Sequence, residues 1–291
     1  MDETELTIAD ALREAAEALR TSGVAEARRE AGSLLSHATT RDRTFLITHA
    51  DERLTAEQLR SFRSLVERRA TGEPLQYIKG SQEFYGLDFE VNADVLIPRP
   101  ETELLVETAL ELLKGARSPL ICDVGTGSGC IAVSLLHART DARAYALDVS
   151  AAALEVAARN AARWRVAERV TFLVSDCFDA FASEEREGTR FDLIASNPPY
   201  VAEDDLEGLQ REVREHEPRG ALTPGGDGLS VIRRLVSESP RHLKPGGHLV
   251  MEIGFDQHEH IAALVAPRVW TLLDIRRDLQ GIPRIVVLRL K

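Results

Sequence analysis

Four residues, Asn197-Pro198-Pro199-Tyr200, follow the apolar run Phe191-Asp192-Leu193-Ile194-Ala195-Ser196. They offer a side-chain carbonyl, a main-chain carbonyl outside any helix, and an aromatic face. Two acceptors beside a flat ring suit a planar nitrogen carrying two hydrogens, such as a carboxamide or an adenine amino group. The Pro-Pro pair removes two backbone donors and fixes φ twice, so the loop is stiff and its carbonyls are turned outward. A Pro-Pro turn after a strand is also a common structural device, and the rest of the chain decides between the two readings.

Upstream, Leu120-Ile121-Cys122-Asp123-Val124-Gly125-Thr126-Gly127-Ser128-Gly129-Cys130-Ile131-Ala132-Val133 reads as a buried strand, a glycine turn and a helix opening on an apolar face. A dinucleotide fingerprint places its third glycine two residues after the second. Here Gly129 comes one residue early and Cys130 takes that place. Asp123 sets negative charge beside any pyrophosphate, so a ligand with a cationic centre fits better. S-adenosylmethionine, with its sulfonium and ammonium, is such a ligand. The next apolar run, Ala144 to Leu147, ends at Asp148, placed to accept from both ribose hydroxyls at the tip of the second strand of a βαβ unit. A third, Val170 to Val174, ends at Ser175-Asp176-Cys177, where Asp176 can accept from an adenine amino group. Each aspartate alone is equally a helix cap or solvated turn. Three at successive strand ends point to one ligand-binding edge.

With these residues assembled, the chain resembles the protein-(glutamine-N5) methyltransferases that modify peptide chain release factors. The resemblance rests on Leu96-Ile97-Pro98-Arg99-Pro100-Glu101-Thr102-Glu103, the Asp123 to Gly129 turn, the Asn197 to Tyr200 loop, and Arg211-Glu212-Val213-Arg214 through Glu217-Pro218-Arg219-Gly220-Ala221-Leu222. It spans almost the whole chain. It implies an α/β fold: a Rossmann-like class I methyltransferase domain behind a small all-helical N-terminal domain, with a connecting β-hairpin. It further implies S-adenosylmethionine as donor, S-adenosylhomocysteine as product, and the glutamine of a release-factor Gly-Gly-Gln motif as acceptor. Gly125, Thr126, Gly127, Ser128 and Gly129 carry over as the cofactor turn, Asp148 as ribose ligand, and Asn197, Pro198, Pro199 and Tyr200 as the glutamine clamp, with Asn197 also beside the cofactor. Cys177 stands where relatives often carry a large or aromatic residue, which leaves its main chain as its contribution to the adenine site.

The chain has 291 residues, 44% of them hydrophobic and 29% charged, an ordinary globular balance. No apolar stretch reaches membrane-span length. The acidic start Met1-Asp2-Glu3-Thr4-Glu5 lacks the basic and apolar regions of a signal peptide. Cys122, Cys130 and Cys177 have no metal-type spacing and read as free thiols of a cytoplasmic protein. Eight histidines include His258-Glu259-His260 but no His-Glu-x-x-His, so no metal site is expected. A net charge of −11 argues against broad sequence-independent capture of duplex DNA, so no direct nucleic acid binding is expected; an acidic surface would also suit a basic protein partner, and the resemblance implies a release factor.

Residues 1–72 read as a helical substrate-recognition domain. Ile8, Ala11, Leu12, Ala15, Ala18 and Leu19 recur at helical steps after Thr7, with Gly23 as a stop. Ala27, Ala31, Leu34 and Leu35 continue the pattern, Phe45-Leu46-Ile47 begins a short segment, and Thr55-Ala56-Glu57-Gln58 is a capping-type start. Residues 73–97 read as a hairpin linker around Gly86, and 98–291 as the methyltransferase domain. Arg99 and Glu101 read as a loop ion pair or as part of a roof over the site. The polar stretch from Tyr200 to Gly228 reads as a lid or docking segment. A helix from Leu229 to Leu243, a turn at Lys244-Pro245-Gly246-Gly247, a strand His248 to Ile253, a further helix and the run Arg284 to Leu288 complete the alternation, with Trp164 and Trp270 as packing residues.

An amide nitrogen is a poor nucleophile, so the expected chemistry is in-line methyl displacement with Asn197 Oδ1 and the Pro198 carbonyl each accepting one amide hydrogen, and Tyr200 against the flat glutamine end. Three alternatives share these residues: a sister enzyme acting on a ribosomal-protein glutamine, an adenine-N6 methyltransferase, and a non-catalytic sensor of S-adenosylmethionine or a nucleotide.

Overall fold

The computed structural model describes residues 6–183 and 186–291; the acidic start at residues 1–5 lies outside them. The chain divides into two compact units: residues up to Gly80 together with Gln210–His216, and Ser81–Leu209 with Glu217–Lys291.

The first unit is helical, with α1 (Ile8–Thr21), α2 (Ala27–Thr39), α3 (Arg43–Thr48), α4 (Ala56–Ala70) and α5 (Leu75–Lys79). Its start signals act as their residue types dictate. Thr7 accepts from the Asp10 N–H, and Thr55 with Gln58 forms a reciprocal capping box at α4. Ile8, Ala15, Leu19, Leu34, Leu35, Leu59 and Phe62 make the core. One buried cation sits in it. Arg69 bonds Glu30 at 2.5 Å and Glu212 at 2.6 Å, so α4 is tied both to α2 and to the short helix of residues 211–216.

The second unit opens with a hairpin, β1 (Ser81–Phe84) and β2 (Leu87–Glu90), whose turn places both Tyr85 and Gly86 at positive φ. After a 3₁₀ turn at Pro100–Thr102 come α6 (Glu103–Leu112), β3 (Leu120–Val124), α7 (Cys130–Ala138), β4 (Arg143–Asp148), α8 (Ala151–Arg163), β5 (Val170–Val174) and β6 (Phe191–Ser196). The hairpin packs on this unit: Asn160 of α8 bonds the Glu90 N–H and carbonyl, and Trp164 Nε1 bonds the Asp88 carbonyl. The stretch after Tyr200 carries short helices, α9 (Arg211–His216) in the first unit and α10 (Arg219–Leu222) in the second. The unit ends with α11 (Ser230–Glu238), β7 (Leu243–Glu252), α12 (His258–Leu264), β8 (Trp270–Arg277) and β9 (Pro283–Leu290).

Seven strands form one sheet in the order β5-β4-β3-β6-β7-β9-β8, parallel through β7 and antiparallel at β9 and β8. Successive residues alternate between two apolar layers: Ile121, Leu193, Val250 and Ile285 face one, Cys122, Ile194, Met251 and Val286 the other. This is the class I methyltransferase arrangement expected from the sequence.

Three expectations need correction. Strand β8 was not foreseen, because Thr271 to Arg277 is a largely exposed edge whose alternation is broken at Leu272/Asp274. The helix expected over 229–243 stops at Glu238, where Pro240 turns the chain. The expected turn at 244–247 falls inside β7, where the register jumps from the Phe191–Leu243 pair to Leu193–His248.

Candidate active site

Both motifs lie at the carboxyl ends of the parallel strands, where the strand order reverses between β3 and β6, the standard ligand position in open α/β sheets. Ser196 Oγ bonds the Val124 carbonyl at 2.7 Å, fastening the end of β6 to the end of β3. A methyl built on Gly125 would come 4.0 Å from the Asn197 carbonyl oxygen, so the two loops face each other closely. Between them is a cavity of about 450 Å³, within the range of small-molecule sites.

Its lining includes Gly125, Thr126, Gly127, Ser128, Asp148, Asp176, Cys177, Asn197, Pro198 and Pro199. Three residues expected at the site, Asp123, Gly129 and Tyr200, do not line it. Gly129 instead caps α7 at φ +80°, with Ala157 of α8 only 3.0 Å from where its Cβ would lie. It is the close-packing glycine of the turn, shifted one residue from the dinucleotide pattern.

Asp123 lies behind the turn, fully buried. Its Oδ2 accepts the Thr126 hydroxyl at 2.6 Å and the Ala132 N–H at 3.1 Å, while Oδ1 has no hydrogen-bond partner. Burial raises its pKa to about 7, against those two hydrogen bonds that lower it. Asp148 accepts the Gly127 N–H on Oδ2 and the Ser150 N–H on Oδ1, leaving each oxygen a further lone pair. Asp176 is more exposed, and Arg234, a cavity residue with no earlier signal, pairs with it at 2.7 Å. Cys177 is buried at φ +47°, and burial pushes its thiol up to about 12. All three cysteines are free thiols.

The opposite wall is held by side chains from distant segments. Asn197 Nδ2 donates to Thr102 Oγ1 at 3.1 Å, and Thr102 Oγ1 donates to Glu252 Oε2 at 2.6 Å. The Tyr200 hydroxyl donates to Glu252 Oε1 at 3.2 Å, so its ring packs against the core and braces the wall from behind. Gln257 completes the brace by donating to the Tyr200 carbonyl at 2.8 Å while its Oε1 accepts the Gly254 N–H. Gly228 permits this course: at φ +76°, its missing Cβ would meet the Tyr200 oxygen at 2.3 Å. Arg99 pairs with buried Glu217, not with Glu101. Glu217 also accepts the Ile97 N–H at 3.1 Å, stapling the Pro98–Arg99 and Pro218–Ala221 sides of the cavity together. Sequence reading gave no role to Thr102, Glu217, Glu252 or Gln257; a glutamate inside an apolar strand, as Glu252 is, was the available signal.

These residues fit a cationic nucleoside donor. The cavity has the volume, Asp148 has free lone pairs at a strand tip, and the buried Asp123 leaves one oxygen uncompensated. Among the described residues no cluster suited to a metal ion occurs, and no helix is long and apolar enough to cross a membrane.

The chain matches two family models, the PrmC N-terminal domain over residues 10–80 and the methyltransferase small domain over 100–227. It is 44% identical over 285 residues to a release factor glutamine methyltransferase of Nitratidesulfovibrio vulgaris, covering 97% of this chain and 95% of that one. A protein of the same name from Koribacter versatilis is 41% identical, with 97% and 98% covered. Among solved structures, a protein-(glutamine-N5) methyltransferase (release factor-specific) from Alicyclobacillus acidocaldarius is 33% identical over 70% of this chain and 99% of that one, with a TM-score of 0.44. With two such relatives matched along nearly its whole length, this chain belongs to the release factor glutamine methyltransferase family.

Proposed function

We propose that the protein transfers a methyl group from S-adenosylmethionine to the side-chain amide nitrogen of the glutamine in the Gly-Gly-Gln motif of peptide chain release factors. When bound, S-adenosylmethionine supplies an electrophilic methyl on a sulfonium and is left as S-adenosylhomocysteine. Asp148 would hold the ribose hydroxyls, the Gly125–Ser128 turn would approach the donor closely, and Asp176 with the Cys177 main chain would flank the adenine. Asp123 would offset positive charge from behind the turn.

The observation that carries the reading is the anchoring of Asn197. With its amide nitrogen tied to Thr102, its oxygen is available to accept one hydrogen of an incoming carboxamide. The Pro198 carbonyl would accept the other. Together they orient the nitrogen lone pair at the methyl and stabilise the positive charge that grows on nitrogen, more than they stabilise the neutral amide. No strong base is needed, because the nitrogen becomes acidic only once alkylated.

The relatives' shared name supports a release factor over a ribosomal protein as substrate. The division into a recognition domain of residues 1–72, a linker of 73–97 and a catalytic domain of 98–291 forms part of the proposal. So does a cytoplasmic location, in keeping with three buried free thiols. Replacing Asn197 with alanine should lower kcat by about 100-fold or more, as loss of a transition-state dipole does, while donor affinity stays near wild type. Unchanged turnover would refute the clamp.

A further inference from the structure

The polar groups behind Asn197 form a chain with a direction. Glu252, at the end of β7, is 1% exposed, and its two oxygens take the hydroxyls of Thr102 and Tyr200. Burial raises the Glu252 pKa, but the two hydroxyls that donate to it favour the charged, acceptor-only form, and both oxygens are arranged here as acceptors. The single O–H of Thr102 is therefore committed to Glu252, and only lone pairs remain on Thr102 Oγ1. Those lone pairs face the Asn197 side chain at 3.1 Å, and the one end of a carboxamide that can satisfy them is its NH2 group. With Nδ2 turned back toward Thr102, Oδ1 is the free end. A group at position 252 able to donate would allow the reverse sequence. Thr102 would then accept from it and donate to Asn197 Oδ1, leaving NH2 as the free end.

We infer that Glu252, acting through Thr102, fixes which end of the Asn197 carboxamide meets the substrate, and so makes the site choose a glutamine amide over a glutamate carboxylate. This rests on the reading of Asn197 as the glutamine clamp. An incoming NH2 brings hydrogens to an oxygen; a carboxylate brings only lone pairs and is repelled by the same oxygen. Thr102 and Glu252 are positioning residues here. Burial explains why the sense is stable. Thr102 is 2% exposed, so water has little access to exchange partners along the chain. Tyr200 shares the same carboxylate and its main chain is held by Gln257, so the loop bearing Asn197 is fixed at both ends of one short segment.

The test compares the full-length enzyme with Glu252→Gln, Thr102→Val, Thr102→Ser and Asn197→Ala. Two quantities are measured: kcat on a release factor, and, with S-adenosylhomocysteine present, the Kd ratio for that factor against the same factor carrying Gly-Gly-Glu. Thr102→Ser, which keeps the hydroxyl, should retain both wild-type turnover and the preference for glutamine. Glu252→Gln and Thr102→Val should lower kcat about tenfold or more, the effect of an unmade buried hydrogen bond, and bring the Gln/Glu ratio toward one. Thr102→Val breaks the same link without altering the buried carboxylate, so it serves if Glu252→Gln fails to fold. A lowered kcat with the wild-type ratio in both variants would reduce Glu252 and Thr102 to mere supports and overturn the proposal. Full turnover in Asn197→Ala would instead overturn the clamp reading beneath it.

Discussion

Asp123 and Glu252 are both fully buried carboxylates at the ends of parallel strands in one sheet, yet they are built differently. Glu252 has a hydroxyl on each oxygen, from Thr102 and Tyr200. Asp123 has two donors crowded on Oδ2 and none on Oδ1. The first is a finished internal support whose bonds run through Thr102 to Asn197. The second is incomplete, and a buried incomplete carboxylate is costly unless something cationic comes to it. Behind one side of the cavity the buried carboxylate is thus complete, and behind the other it keeps one oxygen without a partner, which the proposed donor would offset.

The largest effect falls on catalysis: Asn197→Ala should lower kcat by about 100-fold or more with donor binding preserved, measured in steady-state assays alongside calorimetry. Next is stability. Glu252→Ala strands two hydroxyls and should lower the unfolding free energy by about 3 kcal/mol, read by urea denaturation of the free protein. If Glu252→Ala unfolds like wild type, the completed wall is no support at all. Gly228→Ala, forced against the Tyr200 carbonyl, should cost about 2 kcal/mol in the same assay.

Asp123 predicts a pH signature. Folding raises its pKa from 3.8 to about 7, so the neutral form is the one the free fold favours. Its contribution is whole below pH 3.8 and is lost as pH rises through about 7. A cationic donor reverses the preference by favouring the charged form. Donor affinity should therefore rise about tenfold between pH 6 and 8, and Asp123→Asn should bind more weakly and flatten the profile. An unchanged profile in that variant would place the titration elsewhere. The smallest effect belongs to Arg234→Ala: its partner Asp176 is largely exposed, so stability should change by about 1 kcal/mol or less in thermal melts.

The same contrast explains what was legible beforehand. The side proposed for the donor is local in sequence. Asp123 to Gly129 is one turn, and Asp148 is the tip of the next strand, so residue type and spacing carried nearly all of it. The α1 and α4 caps were equally local, each a Thr three residues before its partner. The side proposed for the acceptor is not local. Asn197 announced itself, but its orientation depends on Thr102 and Glu252, separated by 150 residues and joined only by the sheet. Arg99 reads as paired with its neighbour Glu101 or as part of a roof over the site; it lines the cavity, and its partner Glu217 lies 118 residues on. Tyr200 reads as packing on the flat end of a glutamine because it is an aromatic beside Pro-Pro; that its hydroxyl donates to Glu252 is invisible in the linear pattern. Strand β8 is hard to read in the sequence because its alternation is interrupted where the register shifts between Leu272 and Asp274.

Glutamine methylation is read directly by mass spectrometry of a release factor after incubation with the enzyme and S-adenosylmethionine. The expected result is the mass of one methyl group on the Gly-Gly-Gln peptide, localised by fragmentation to the glutamine side chain and missing when Asn197→Ala replaces the wild type. An unmodified glutamine, or a methyl group that appears equally with the Asn197→Ala enzyme, would contradict it.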